Sequence, residues 1–235
     1  MLLAVSVPPQ PTEDTCGPTC LESIYRFYGN VVSLNQLRSE IQMLADGGTL
    51  SVNLGCHALS RGFNVEIYSY NLQVFDPTWF DLSPEELSAK LILQAQRKSA
   101  DQKLGLASAS YVRFLKDGGF IRFTDLVPQL ILDYLNAGKP IIAALSSTYL
   151  YSTARENPLT NVDDDIGGYP AGHFVVLSGY EEQSQQVVVN DPFRRNPFSR
   201  GEESYLVDFG HLMASILLGV VTYDANLMII SPREA

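Results

Sequence analysis

The sequence predicts an α+β fold, with helices first and an antiparallel sheet after them. Apolar residues recur at helical spacing through much of residues 16–61 and 83–136. Two runs rich in β-branched residues, 172–180 and 186–190, follow with a polar turn between them, which is typical of a hairpin. The chain has 235 residues, 46% hydrophobic and 18% charged, so it can bury one sizeable core. We therefore predict a single domain over residues 1–235.

The first predicted helix begins near Cys16. Its apolar residues recur at helical spacing: Leu21, Ile24, Phe27 and Tyr28. Pro18 falls in the first turn, where its missing N–H costs nothing, and Asp14 or Thr15 is expected to cap the start. Gly29 can adopt the left-handed backbone conformation that commonly ends a helix. Cys16 is therefore expected at the N-terminus of this helix.

Cys16 is a candidate nucleophile because of that position. The unpaired N–H groups of a helix N-terminus favour negative charge, and the thiolate is the reactive form of cysteine. Gly17 carries no side chain, so another segment can approach the sulfur closely. Cys20 lies one turn further on and is expected to be a core residue.

A base for this nucleophile has to come from three histidines. His57 lies within a short helical pattern, and His211 lies in an apolar stretch near the C-terminus. His173 opens the first strand of the predicted hairpin, and Asp191 follows the second strand. A hairpin brings its two open ends together, so Asp191 can stand beside His173 and orient its ring. Cysteine, histidine and aspartate in this arrangement are typical of papain-like hydrolases.

Several short motifs occur together with these residues: Gln10 six residues before Cys16, the Cys16-Gly17 pair, Cys20, the helix ending Tyr28-Gly29, the run Gly172-His173-Phe174-Val175-Val176, and Asn190-Asp191-Pro192. In these motifs the chain resembles the bacteriocin-processing peptidases, which are papain-like cysteine peptidases that cut leader peptides after a double glycine. The resemblance covers roughly the first seventy residues and residues 125–192. The chain departs from it at Thr15, where the family usually has an acidic residue or a tyrosine.

The resemblance implies a papain-like fold, in which a helical half carrying the nucleophile helix packs on an antiparallel sheet. It implies a cysteine peptidase or amide hydrolase with Cys16 as the nucleophile. His173 and Asp191 would complete the triad, and Gln10 would help to form the oxyanion hole. Such a reaction needs no metal or organic cofactor, and its expected partner is a peptide or amide substrate.

The remaining elements follow from local patterns. We predict helices over residues 33–44, 52–61, 83–99, 106–116, 124–136 and 209–218, and strands over 63–69, 139–146 and 227–230. A compact peptidase of this family needs neither of the two helices in residues 72–123, so this segment is interpreted as a helical insertion. It is either a surface decoration or a lid that governs specificity. Residues 147–172 are predicted to be a long polar loop.

Charge and cysteine content exclude several classes of function. A net charge of −10 argues against nucleic acid as a partner, because phosphate binding needs a basic surface. Three cysteines, an odd number, do not suggest a disulfide framework, so a reducing compartment is expected. The apolar start, residues 1–7, is short and lacks a basic flank, and no run is long enough to span a membrane. We therefore expect a cytoplasmic protein without membrane insertion; the oligomeric state stays open.

Alternative interpretations remain at this point. The same triad would serve an acyltransferase or transpeptidase that passes the acyl group to an amine, and an inherited cleft would serve a non-catalytic peptide-binding module. A zinc site is disfavoured by ligand spacing, although four candidate ligands exist: Cys16, Cys20, Cys56 and His57. The run Asp163–Asp165 is either a solvated loop or an acidic rim of the cleft that favours a cationic substrate group.

Overall fold

The computed structural model describes residues 1–44, 47–160 and 162–233. Within these residues the strands form one seven-stranded sheet. The strands are β1 (Phe63–Ser69), β2 (Phe120–Arg122), β3 (Ile141–Ser146), β4 (Gly172–Glu181), β5 (Gln186–Asn190), β6 (Ser204–Asp208) and β7 (Asn226–Pro232). The helices are α1 (Cys16–Phe27), α2 (Leu34–Glu40), α3 (Ser51–Ser60), α4 (Pro84–Arg97), α5 (Gln102–Lys116), α6 (Pro128–Asn136), α7 (Ser147–Tyr151) and α8 (Phe209–Leu218). The predicted α+β class is confirmed.

Three helices have one end that lies four residues from the predicted position. α2 ends at Glu40, four residues before the predicted end at Leu44. α5 starts earlier than predicted because Asp101 caps it, with its carboxylate accepting from the Leu104 N–H at 2.9 Å. α6 starts later, at Pro128, because proline suits the first helical position and keeps the preceding residue extended.

The sheet order is β2-β1-β7-β3-β4-β5-β6. All neighbouring pairs are antiparallel except β1 and β2, which are parallel at one edge. Parallel neighbours need a crossover connection, and here α4 and α5 provide it. Residues 72–123 therefore include an edge strand and its crossover, which the sequence patterns did not predict. β6 at the opposite edge was also missed.

The sheet lies between two helical layers. Side chains of β4 alternate between them: Phe174 and Val176 pack in the cluster that contains α1 and α3, whereas Val175 and Leu177 pack in the cluster that contains α6, α7 and α8. This double burial explains why β3 and β4 read as nearly continuous apolar runs.

The helices of residues 72–123 are part of the core. Leu91 of α4 and Phe114 of α5 are fully buried in the same cluster as α1 and α3. The Phe114 ring packs so closely on α3 that a Cβ at Gly55 would lie 2.9 Å from it. The interpretation of this segment as a surface decoration is therefore wrong.

A chain of polar side chains, buried at Tyr25 and His57 and exposed at Glu40, links α1, α2 and α3. The Glu40 carboxylate faces His57 Nε2 at 2.9 Å, and Tyr25 Oη faces His57 Nδ1 at 2.7 Å. Because a carboxylate only accepts, Nε2 carries the proton, and Nδ1 accepts from the tyrosine hydroxyl. Burial lowers the pKa of His57, which keeps the ring neutral. His57 is thus a packing residue.

We expect Tyr25→Phe to lower the free energy of unfolding by about 1–3 kcal/mol, because it leaves a buried imidazole nitrogen without its donor. Tyr28→Phe on the same helix is a matched control. The Tyr28 hydroxyl is buried without a hydrogen-bond partner among the described residues, so its loss should change stability by less than about 0.5 kcal/mol. Urea unfolding near neutral pH measures the free energy of unfolding of both variants. Equal losses in the two variants would contradict the polar chain.

Candidate active site

An open cleft runs between the N-terminus of α1 and the start of β4. Its two halves are adjoining cavities of about 700 and 520 Å³. Gln10 lines the larger half, and Cys16 lines the smaller one. His173 lines both, so it stands between them.

Cys16 is the first residue of α1 and is partly exposed. The predicted side-chain cap is absent: Thr15 occupies the N-cap position, but its hydroxyl donates to the Thr12 carbonyl at 2.7 Å. The N–H groups of the first turn therefore keep their field toward the cleft without a capping carboxylate or hydroxyl. This is the electrostatic setting that the sequence predicted for Cys16.

Close packing of α1 against β4 brings Cys16 and His173 to the same place. A Cβ at Gly17 would lie 3.2 Å from the Phe174 ring and 3.0 Å from Thr49, so only glycine fits without a shift. One turn further on, the Cys20 thiol donates to the Phe174 carbonyl at 3.3 Å. Cys20 is fully buried, which confirms its predicted place in the core.

The hairpin of β4 and β5 brings His173 and Asp191 together as predicted. His173 Nε2 lies 2.9 Å from Asp191 Oδ1, and both side chains are buried. Since Nε2 is engaged by the carboxylate, Nδ1 is the ring nitrogen left for Cys16.

Two tyrosines that the sequence analysis missed complete the surroundings of Asp191. The Tyr151 and Tyr205 hydroxyls donate to Oδ2 at 2.7 and 2.5 Å. Tyr151 ends α7, which lies inside the predicted polar loop, and Tyr205 lies in β6, the missed edge strand. Neither residue belongs to a motif near Asp191 in sequence, so no local signal pointed to them.

The charges of this pair are set by opposing influences. Burial disfavours imidazolium, but Asp191 and Cys16 outweigh it and raise the pKa of His173 to about 10. Burial would likewise raise the pKa of Asp191, but His173 and the two tyrosine hydroxyls bring it below its ordinary value. At neutral pH the pair is imidazolium and carboxylate.

Gln10 is held beside this pair by its backbone. Its N–H donates to the Pro192 carbonyl at 2.9 Å, next to Asp191 in sequence. Its side-chain Nε2 donates to the Thr12 carbonyl at 3.1 Å, which leaves the second hydrogen of that amide for another acceptor. Gln10, Cys16 and His173 thus border one cleft, and Asp191 is buried beside His173 without lining either half.

The cleft is also lined by acidic side chains. Glu13, Asp14 and Glu156 border both halves, and Asp163 borders the larger one. Burial, followed by the charges of Glu13 and Asp163, raises the pKa of Glu156. Asp164, the middle residue of the run Asp163–Asp165, stabilises the loop in which it lies, because its carboxylate accepts a hydrogen bond from the Gly167 N–H at 2.7 Å.

The segment 72–123 contributes little to the cleft. Among these residues, all of which the structure describes, Lys103 is the one that lines either half. The hypothesis that this segment forms a lid is therefore not supported by its position.

The candidate zinc ligands are engaged elsewhere. Both nitrogens of His57 face Tyr25 and Glu40, and the Cys56 thiol faces the Ser110 carbonyl at 3.7 Å. Over the ranges that the structure describes, no three His, Cys, Asp or Glu side chains are grouped as a metal site requires. None of the helices in those ranges has the length and apolar character needed to cross a bilayer.

The models of two peptidase families match the sequence. Residues 5–100 match the model of the Peptidase C39 family, and residues 110–208 match that of the C39-like family. The two matches contain Gln10 and Cys16 in the first range, and His173 and Asp191 in the second. No functionally curated protein matches the sequence.

Solved structures with a similar fold include a C39-like peptidase from Bacillus anthracis. It is 14% identical, with a TM-score of 0.50, over 100% of this chain and 98% of that one. The peptidase domain of the Streptococcus transporter ComA is 14% identical, with a TM-score of 0.47, over 97% and 99%. A double-glycine protease from an AMS/PCAT transporter, solved with its leader peptide, is 16% identical, with a TM-score of 0.46, over 99% and 94%.

The Bacillus anthracis structure supports the fold, while the two family matches together reach from residue 5 to residue 208 with a short gap. The chain is thus similar to the C39 peptidases in its first half and to the C39-like peptidases in its second, and it is a papain-like cysteine peptidase.

Proposed function

We propose that this protein hydrolyses peptide bonds with Cys16 as nucleophile, His173 as general acid and base, Asp191 as the residue that orients His173, and Gln10 as an oxyanion donor. The observation that carries the proposal is the position of His173. Its Nε2 is held by Asp191 at 2.9 Å, and its ring lines both halves of the cleft, including the half that contains Cys16.

The chemistry follows from these contacts. The proton of the Cys16 thiol resides on His173 Nδ1, so that the resting pair is an imidazolium and a thiolate, and the thiolate attacks the carbonyl carbon of the substrate. The oxyanion that develops accepts hydrogen bonds from Gln10 Nε2 and from the Cys16 backbone N–H, which has no partner within α1. His173 then protonates the leaving amine, and the thioester remains on Cys16.

Deacylation reverses these roles. His173 takes a proton from water, the hydroxide attacks the thioester, and the carboxylic acid product leaves as Cys16 regains its charge. Asp191 keeps Nε2 protonated throughout. Water is the expected acceptor rather than an amine, because residues 72–123 add one rim side chain and no cover that would exclude solvent.

The first test compares the three cysteines. We expect iodoacetamide to alkylate Cys16 much faster than Cys20 or Cys56 near pH 7. Cys16 is the partly exposed one, whereas burial raises the pKa of Cys20 well above its usual value and that of Cys56 to about 11. Mass spectrometry of the digested protein measures the three rates. Similar rates for Cys16 and Cys56 would contradict the proposal.

The second test removes the catalytic groups. Cys16→Ala and His173→Ala should each abolish hydrolysis of a fluorogenic peptide library, and the double variant should be no worse than either one, since a triad acts as a unit. Asp191→Asn should retain more activity, because it removes charge but keeps a hydrogen-bonding group beside His173. Cys56→Ala is the matched control and should leave kcat unchanged. Near-normal turnover by His173→Ala would refute the assignment.

The third test concerns the oxyanion. Gln10→Ala should lower kcat by about 10²–10³ with KM nearly unchanged, because this donor acts on charge that develops in the transition state. Steady-state kinetics on the best library peptide separates the two constants, and thermal unfolding checks that the loop is intact. A change confined to KM would make Gln10 a residue that binds the ground state.

A further inference from the structure

The carboxylate of Asp191 is saturated by donors although it is completely buried. Oδ1 faces His173 Nε2 at 2.9 Å and accepts from the Phe193 N–H at 2.8 Å. Oδ2 accepts from the hydroxyls of Tyr151 and Tyr205 at 2.7 and 2.5 Å. Each oxygen thus has two partners, and the two oxygens have different ones.

This division fixes the orientation of the carboxylate. Tyr151 approaches from α7 and Tyr205 from β6, while Asp191 follows β5 between them. Rotation of the carboxylate would break both tyrosine hydrogen bonds at once, so Oδ1 is kept toward His173. Both tyrosines are themselves buried, and the Tyr151 ring lies 6.1 Å from the His173 ring, measured between centroids.

The same hydroxyls sustain the charge of Asp191. Burial is the largest influence on the pKa of this group and raises it, and the tyrosines help His173 to reverse that shift. Burial raises the pKa values of Tyr151 and Tyr205 above that of free tyrosine, so both remain protonated donors at any working pH. Other titratable or charged groups nearby are Cys16 and Cys20 on α1 and Arg194, whose guanidinium donates to the Asp191 carbonyl.

We propose that Tyr151 and Tyr205 are positioning residues that hold the Asp191 carboxylate ionised and turned toward His173, and that they thereby extend activity to lower pH. The inference rests on the proposed function, because Asp191 acts on the reaction through His173. Nothing in the family motifs of the sequence requires a tyrosine at either position.

The direction in which the acid limb moves follows from the protonation states of Asp191 and His173. Removing a hydroxyl destabilises the ionised carboxylate, so Asp191 takes up a proton at higher pH than before. A protonated Asp191 no longer stabilises imidazolium on His173. The acid limb of the kcat/KM profile therefore moves to higher pH, by about one unit for each hydroxyl lost. The alkaline limb changes little, since Asp191 is ionised on both sides of that transition.

The experiment uses Tyr151→Phe, Tyr205→Phe and the double variant, which lose only oxygen atoms and keep the ring packing. Profiles of kcat/KM against pH should show the acid limb displaced upward in all three, most in the double variant. Tyr68→Phe is the matched control. It loses a largely buried hydroxyl that pairs with Tyr134 at 2.7 Å, away from the cleft, and should leave the limb in place.

A readout without substrate separates this inference from the proposed function. ¹³C NMR of protein labelled at aspartate carboxyl carbons, with the signal assigned by Asp191→Asn, follows the titration of Asp191 directly. Its midpoint should rise in each tyrosine variant whether or not a peptide is cleaved. If wild-type protein cleaves no peptide while the midpoint moves, the peptidase proposal fails and the positioning role stands.

The opposite pattern overturns the positioning role. Unchanged midpoints and unchanged acid limbs in both single variants, with hydrolysis intact, would show that the hydroxyls do not act on Asp191. An equal displacement of the acid limb in Tyr68→Phe would show that the shift comes from a general loss of stability. In the Asp191→Asn background, where the amide does not titrate, Tyr151→Phe should shift no limb. A shift there would also contradict the proposal. The single variants keep the test valid if the double variant does not fold.

Discussion

A buried carboxylate facing a buried imidazole is the contact on which the rest of this site depends. Each group alone would be neutral so far from water, and each makes the charge of the other favourable. That mutual dependence requires every remaining lone pair of Asp191 to find a donor, and the structure supplies them from the backbone and from α7 and β6. The elements around β4 and β5 therefore supply hydrogen-bond donors to Asp191 as well as apolar packing.

The nucleophile is supplied by the opposite layer of the molecule. α1 reaches the pair only because Gly17 lets it pack directly on Phe174, the neighbour of His173. A larger residue at that position would push the helix away from β4 and lengthen the distance over which a proton has to move. The alignment of thiol and imidazole is thus a packing constraint of the main core, and it is shared by residues that do no chemistry.

Local signals predicted the parts of the site that are local. Pro18 and Gly29 marked the ends of α1, and the hairpin pattern was enough to place His173 beside Asp191. Contacts between elements that are distant in the sequence produce no local pattern from which they could be predicted. Tyr151 and Tyr205 meet Asp191 from elements 40 and 14 residues away, and the parallel edge pair depends on where a long crossover returns. Thr15 does not cap α1 with its side chain, contrary to the prediction, because a competing turn with Thr12 engages its hydroxyl.

The position of β7 in the sheet has a consequence for how the molecule is made. This strand is the last in chain order among the described residues, yet it lies between β1 and β3 and joins the edge pair β1 and β2 to the strands that position His173 and Asp191. Until residues 226–232 have been synthesised, β1 and β3 lack the neighbour that they share, and the sheet has a gap at its centre. The two parts of the sheet can therefore join only after this strand has been made.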